Sequence, residues 1–249
     1  MKTPRASFVI PAYNAEAFLA QAIHSCQTQS VKDIEIIVVD DGSTDGTKEL
    51  AMFHAEHDPR VKYAAFADNA GRSAARNFGN TLALAPIILV LDSDDIALKN
   101  RVRDTLLLFQ MKNPDVVYGS FEIVNENDAL LARQRAGPFG REIALERKMN
   151  FIGHSTMAYR KGVAANVLYD EGEYSTLGLD DWKFQWDCLL KGYKFEAATV
   201  FLSKYRVYQL PNGAYGSPTE YYRDSQRVDE LKNEYIAKMS THPLTSQAT

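Results

Sequence analysis

Apolar residues near the start of the chain come in short, nearly unbroken runs. "SFVI" (7–10), the stretch Ile34 to Val39, "VKYAAF" (61–66) and "IILVL" (87–91) have the length and composition of strands, the first of them stopped by Pro11. Helical spacing separates these runs. Residues 15–28 put Phe18, Leu19, Ala22, Ile23 and Cys26 on one face; residues 46–57 and about 98–112 read as helices. "ADNAGRSAARNFGNTLALA" is a loop and then a helix with Arg72 and Arg76 one turn apart. Strands that are apolar along their whole length suit a sheet buried on both faces, and strand–helix alternation predicts an open, mostly parallel sheet flanked by helices. Ligands of such sheets bind beyond the C-terminal strand ends. The polar clusters "PAYN", "DDGS" and "DSDD" follow the first, second and fourth strands.

The pattern loosens after residue 118. "DVVYGSFEIVN" reads as one or two strands, "GREIALERKMN" (140–150) as a helix and "HSTMAYRK" as a short alternating strand. "LDDWKFQWDCLLKG" is helical, with Phe184, Cys188 and Leu189 toward the core; "YKFEAATVFLSKYRVYQLP" is strand-like. A polar helix from about Asp224 to Met239 precedes the tail "STHPLTSQAT". Repeats and low-complexity linkers are absent. The expected organisation is one α/β domain over 1–221, with a nucleotide-type half to about 118 and a second half to 221, then a C-terminal helix and flexible tail over 222–249.

Composition narrows the function classes. With 28 basic and 32 acidic residues among 249, the net charge of −4 disfavours a nucleic-acid partner. Cys26 and Cys188 are far apart and outside metal or redox spacings, so they read as reduced thiols of a cytoplasmic protein. No apolar run approaches the ~20 residues that cross a bilayer. "MKTPRASFVIPAYN" lacks a signal-peptide core. Peripheral contact with a membrane stays open.

The strand ending in Asp92, Asp94 and Asp95 poses the sharpest chemical question. Carboxylates this close repel one another and raise one another's pKa. A hard divalent cation such as Mg²⁺ or Mn²⁺ would relieve this, and these ions favour one or two protein carboxylates plus substrate phosphates. A helix cap in a solvated loop is the alternative. Asp40 and Asp41 add a second acidic pair, suited either to a ribose or base N–H or to plain turn chemistry. Arg72 and Arg76 bring guanidinium groups toward the same edge, for phosphates or for the aspartates themselves.

These segments, taken in order, resemble the inverting glycosyltransferases of family 2, which have the GT-A fold. "SFVIPAYNAEAFLAQAIHSCQTQS" is similar to the family's opening strand and helix, "IEIIVVDDGSTDGT" to its nucleotide-binding turn, and "DNAGRSAARNFG" to the loop and helix that follow. "ILVLDSDD" resembles its Asp-x-Asp motif, "HSTMAYRK" its acceptor-side segment, "LDDWKFQWDCLLKGYKF" its acidic pair at a helix start, and "LSKYRVY" its Tyr-Arg segment. The match covers about residues 6–210. It implies a single Rossmann-like GT-A domain and a UDP-sugar donor bordered by Pro11, Ala12, Tyr13, Asp41, Arg72, Asp92 and Ser93. It further implies Mn²⁺ or Mg²⁺ on Asp94, a catalytic base at Asp181 with Asp180 beside it, and a saccharide or lipid-linked acceptor of cell-envelope polysaccharide synthesis, at the inner face of the cytoplasmic membrane. Asp180 stands where many members have glutamate, and Tyr208 where the family often has histidine.

Other residues carry two readings each. His154 suits the donor diphosphate, the acceptor or a structural hydrogen bond. Trp182 suits an acceptor platform or helix packing; Trp186 suits packing. "TEYYRDSQ" could form an acceptor edge, a membrane-facing edge or a seam between subunits of a homodimer, and Glu142 and Glu146 suit a solvated helix face. A non-catalytic sugar-nucleotide binder is the competing function. An aspartate-dependent phosphoryl hydrolase is disfavoured because its motif would follow the first strand. A nucleotidyltransferase or a dinucleotide dehydrogenase would need a glycine-rich first turn, which "PAYNAEAF" is not.

Overall fold

The computed structural model describes residues 3–140, 143–145, 152–217 and 224–241. The front of the chain runs β1 (Ala6–Ala12), α1 (Leu19–Gln27), β2 (Ile34–Asp40), α2 (Thr47–His57), β3 (Val61–Ala65), α3 (Arg72–Leu82) and β4 (Ile87–Val90). There follow β5 (Ile96–Ala97), α4 (Arg101–Lys112), β6 (Val116–Val124), β7 (Leu130–Gln134), β8 (Ala158–Arg160) and α5 (Lys161–Asn166). The rear half closes with α6 (Glu173–Thr176), α7 (Asp180–Leu190), β9 (Phe195–Arg206), β10 (Tyr208–Gln209), β11 (Tyr215–Gly216) and α8 (Ser225–Thr241).

One sheet organises the molecule, in the order β3-β2-β1-β4-β8-β6-β9-β5, with β7 on the side of β6. The front pairs β2–β3, β1–β2 and β1–β4 are parallel, as is the long β6–β9 pair. Antiparallel pairing enters through short contacts, β4–β8, β6–β8, β5–β9 and β6–β7. The near-continuous apolar strands follow from burial on both faces. Val9, Ile37, Val39 and Val90 point into one core with Ala75 of α3 and Trp182, Phe184 and Trp186 of α7. Phe8, Ile10, Ile36, Val38 and Leu89 point into the other, with Leu19, Ile23 and Cys26 of α1 and Val102 and Phe109 of α4. Phe184, Cys188 and Leu189 are buried, as their spacing predicts. Glu35 interrupts β2. Burial alone would raise its pKa, yet Lys62, the Ser7 hydroxyl and the Leu84 amide together hold it below the usual carboxylate range.

Four local expectations shift. β1 does not stop at Pro11 but runs on to Ala12. Its pairing with β4 ends at Val9 while its pairing with β2 continues, so the missing proline N–H falls where one flank of the ladder is already open. The helix expected near 98–112 begins at Arg101, because Ile96–Ala97 pairs with β9 and Ala97 N–H donates to Ser25 Oγ at 3.0 Å. "HSTMAYRK" is only partly strand. His154–Thr156 forms a 3-10 turn, in which Thr156 Oγ donates to Gly153 O at 2.6 Å and accepts from Gly119 N–H at 3.0 Å. A hydroxyl bonded this way offers the backbone an alternative to the ladder. Asp95 does not cap α4, whose N-cap is Asn100 without a side-chain cap bond. Of the helix expected over 140–150, residues 143–145 are helical. Glu142, Glu146, most of "TEYYRDSQ", the boundary at 221 and the tail from 242 lie outside the described residues.

Two glycines are required by close approach. Gly42, in the turn after β2, has φ +73°, and a Cβ there would sit 2.7 Å from the Asn69 nitrogen. Gly79 lets α3 lie directly on the sheet: a Cβ would overlap Val9 Cγ1 and reach 3.2 Å from Val39 Cγ2. Gly79→Ala is therefore expected to cost ~1–3 kcal/mol through overpacking, read as a lower urea midpoint at unchanged slope. No helix of the described residues is long and apolar enough to cross a membrane.

Candidate active site

A cavity of about 1170 Å³ opens beyond the C-terminal ends of β1, β2 and β4. Pro11, Ala12, Tyr13 and Asp41 line one edge of it, Arg72, Asp92, Ser93 and Asp94 the middle, and His154, Asp180, Asp181 and Trp182 the side of the rear half, whereas Asp40, Asp95 and Trp186 stand outside the lining. The topology explains the convergence. β1, β2 and β4 are parallel neighbours, so their C-terminal turns share one edge, and α7 starts beside them.

Asp41 is buried, and its two oxygens accept the Ala70 and Gly71 amides at 2.7 and 2.9 Å. It thus fastens the loop that leads into α3. Burial, partly offset by these amides, raises its pKa. Asp40 faces away from the cavity lining, accepting from Ser43 N–H and the Tyr63 hydroxyl. Arg72 is exposed on the cavity wall, one turn before a buried Arg76.

The three acids after β4 have separate surroundings. Asp92 accepts from Arg76 Nη2 at 2.6 Å, and its backbone N–H donates to Ser155 Oγ at 3.0 Å. Burial opposes its ionisation, but the Arg76 charge outweighs that and holds the carboxyl at about 2. Asp94 is raised by burial and then by the charge of Asp92; the Tyr208 hydroxyl, donating to its Oδ2 at 2.7 Å, pulls the other way. Asp95 is buried, raised well above the usual range by burial and by its two neighbours, and accepts the Arg206 N–H at 2.8 Å. Its oxygen anchors β9.

Arg206 completes that anchor. Its Nε donates to the Asp94 carbonyl at 2.8 Å, and its other nitrogens reach the Asn125 and Glu126 carbonyls, Gln21 and Asp128. The guanidinium stacks over Phe18, 4.4 Å from the ring centre, and Phe18 also meets the Tyr208 ring edge-on at 5.8 Å. Tyr208 therefore both packs and binds Asp94. Only its place in the Tyr-Arg segment hinted at this; a contact between residues 94 and 208 has no local signature.

On the far wall, α7 begins with the acid pair. Asp180 is buried and accepts from Arg76 Nη1. Asp181 is half-buried; its Oδ1 accepts the Trp182 N–H at 2.7 Å. Burial and the neighbouring Asp180 push its pKa up to about 7. His154 is buried, its pKa driven down to about 3 by burial and by Arg76. Tyr169 sits 3.3 Å from its Nε2, while its Nδ1 has no hydrogen-bond partner among the described residues. Trp182 is 1% exposed and packs against Trp186, Tyr235 and Tyr174 at centroid distances of 5.0, 5.6 and 6.5 Å. These are helix-packing surroundings, shared with Trp186 and with α8. That helix also contributes Lys232 to the cavity wall.

Among the described residues, no three His, Cys, Asp or Glu side chains are grouped to hold a metal ion. The donor set still fits a cation completed by substrate. Asp94 is a hard oxygen ligand on the wall of a cavity large enough for a substrate that would bring further oxygen ligands.

Comparison with known proteins agrees with this architecture. Residues 7–168 match the model of the glycosyl transferase family 2. The chain belongs to that family. Its relatives include an uncharacterized glycosyltransferase of Haemophilus influenzae, 37% identical over 49% of this chain and 48% of its own length, and the glycosyltransferase GlyG of Streptococcus pneumoniae, 34% identical over 49% and 40%. The chain thus spans less than half the length of these two relatives. An uncharacterized glycosyltransferase of Methanocaldococcus jannaschii is 28% identical over 83% of this chain and 72% of its own. In fold, the family 2 chain is similar to Staphylococcus aureus TarS 1–349 in complex with UDP-GlcNAc, with a TM-score of 0.72 and 17% identity over 94% of this chain and 66% of that one. It is also similar to the mannosyltransferase PcManGT of Pyrobaculum calidifontis, bound to GDP-Man and Mn²⁺, with a TM-score of 0.62 and 15% identity over 82% and 57%.

Proposed function

We propose that the chain is an inverting glycosyltransferase that moves a sugar from a UDP-sugar to a hydroxyl of a saccharide or lipid-linked acceptor, with Asp181 as general base. The observation that carries this reading is Asp181 itself. It is a half-buried carboxylate, raised to about 7, on the wall of the cavity that Asp92 and Asp94 also line. A base whose pKa lies near the working pH is suited to take a proton from an acceptor hydroxyl. The UDP-GlcNAc-bound TarS structure, similar in fold, supports a uridine donor.

In this reading Pro11, Ala12, Tyr13 and Asp41 border the nucleoside, and Arg72 lies toward the donor phosphates. A Mn²⁺ or Mg²⁺ ion on Asp94 supplies charge neutralisation for the leaving diphosphate when bound. Asp181 receives the hydroxyl proton as the acceptor oxygen bonds to the anomeric carbon from the face opposite UDP. A single displacement of this kind inverts that carbon, so an α-linked donor gives a β-linked product. A lipid-linked acceptor would keep the enzyme at the inner face of the cytoplasmic membrane.

Release of UDP from a panel of UDP-sugars, with and without Mn²⁺, tests the reading; silence across the panel in both conditions rules it out. The base must be ionised to act. Below pH 7, kcat/KM is therefore expected to fall about tenfold per pH unit, with one apparent pKa near 7. A profile flat from pH 5 to 8 would remove Asp181 from that role.

A further inference from the structure

Two adjacent acids begin α7, and their chemical equivalence leaves the choice of base undetermined. The fold separates them. Successive residues of a helix point about 100° apart, so although both acids line the cavity, Asp180 is buried against Arg76 of α3 while Asp181 is only half-buried. Between α3 and α7 lies Arg76, 5% exposed. One arm of its fork donates to Asp180 and the other to Asp92, and its guanidinium lies 5.4 Å from the centre of the Tyr169 ring. A planar guanidinium spans two carboxylates in this way; a lysine ammonium is a single point charge.

We infer that Arg76 is a positioning residue that divides the labour of the acid pair, locking Asp180 as a fixed counter-ion and leaving Asp181 to take the acceptor's proton. The inference rests on the glycosyltransferase reading above. It also gives Arg76 a span across the site, since the same side chain holds Asp92 on the donor side and Asp180 beside the base. Asp181 faces Asp180 on its own helix, Arg76 from α3 and Asp92 from the end of β4, and shares the cavity wall with His154 and Lys232. Of these, the Asp180 charge and, less strongly, the Asp92 charge oppose its ionisation, and the Arg76 charge favours it.

Two variants should therefore move the pH profile in opposite directions. Asp180→Asn removes the like charge and should lower the apparent pKa of the base by about one unit. It should keep UDP release measurable, at about a tenth of the wild-type rate. Arg76→Lys cannot grip both carboxylates and should raise that pKa by about one unit, with a larger loss in kcat than rise in KM for the donor. The assay is UDP release from UDP-glucose and UDP-N-acetylglucosamine with Mn²⁺, with water taking the place of the acceptor hydroxyl and receiving the sugar, from pH 5 to 9, with thermal unfolding of each variant as a check on folding. Should Arg76→Lys not fold, Asp180→Asn alone decides. An active wild type with an inactive but folded Asp180→Asn would make Asp180 the base and overturn the inference. Lower amplitude without movement of either pKa would reduce Arg76 to a structural link and overturn it too. A wild type that releases no UDP from any UDP-sugar would instead overturn the glycosyltransferase reading on which the inference stands.

Discussion

Asp181→Asn is expected to lower sugar transfer on the order of 10²–10⁴-fold while leaving UDP affinity unchanged. The substitution removes one proton acceptor and little else. The asparagine side-chain oxygen can still accept the Trp182 N–H that Asp181 Oδ1 accepts now, so the start of α7 is kept. Stability should shift in the opposite sense to activity. A carboxyl raised to about 7 in the folded state, against ~3.9 when unfolded, binds its proton more tightly folded than unfolded. The native state therefore loses stability as pH rises from about 4 to 7, a loss the neutral amide does not suffer. The variant should match the wild type near pH 4 and exceed it increasingly up to pH 7, with the difference constant above. Transfer assays, UDP titration calorimetry and urea melts at several pH values check the three parts. Wild-type turnover in the variant would dismiss Asp181 as the base.

Arg206→Leu carries the largest expected cost in stability, ~2–4 kcal/mol, because several hydrogen-bond acceptors lose their donor at once. The Arg206 side chain is 1% exposed. Its loss strips donors from the part-buried Asp94, Asn125 and Glu126 carbonyls, which water can only partly replace. Asp128, with a side chain 40% exposed, can return to water and adds little. At 2–4 °C per kcal/mol for a chain of this size, the melting temperature should fall by roughly 10 °C. Activity should fall with it, since Arg206 holds the backbone of Asp94 while its own N–H holds Asp95. Arg206→Lys should recover little, because one ammonium cannot reach that many acceptors. A melting point within a degree of wild type would show that the network is not a support of the strand end.

The legible part of the molecule is its front half. β1, β2 and β4 announce themselves by runs such as "SFVI" and "IILVL", because strands covered on both faces have no polar side to interrupt them. Parallel pairing then brings "PAYN", "DDGS" and "DSDD" to one edge, so candidate site residues could be named from position alone. The rear half was harder to read. β8 is three residues long and enters the sheet antiparallel between β4 and β6, and its preceding turn is set by Thr156 bonding to Gly119, 37 residues away. Trp182, equally suited by its sequence context to a sugar platform or to packing, lies inside an aromatic cluster to which the C-terminal helix contributes Tyr235.

Hydrophobic periodicity and the order of the polar clusters were enough to specify an α/β sheet and the edge where those clusters meet, and local motifs carried the family resemblance, since all of these are properties of neighbouring residues. The allocation of charge at that edge was not. Asp92, Asp94, Asp95, Asp180 and Asp181 are the same side chain in sequence, yet one is held at about 2 and another pushed up to about 7. What separates them is burial and the reach of Arg76, Arg206 and Tyr208. Arg76 lies 104 residues from Asp180, and Tyr208 lies 114 from Asp94. Electrostatic energy depends on distance through space, so these assignments exist only once the chain has folded.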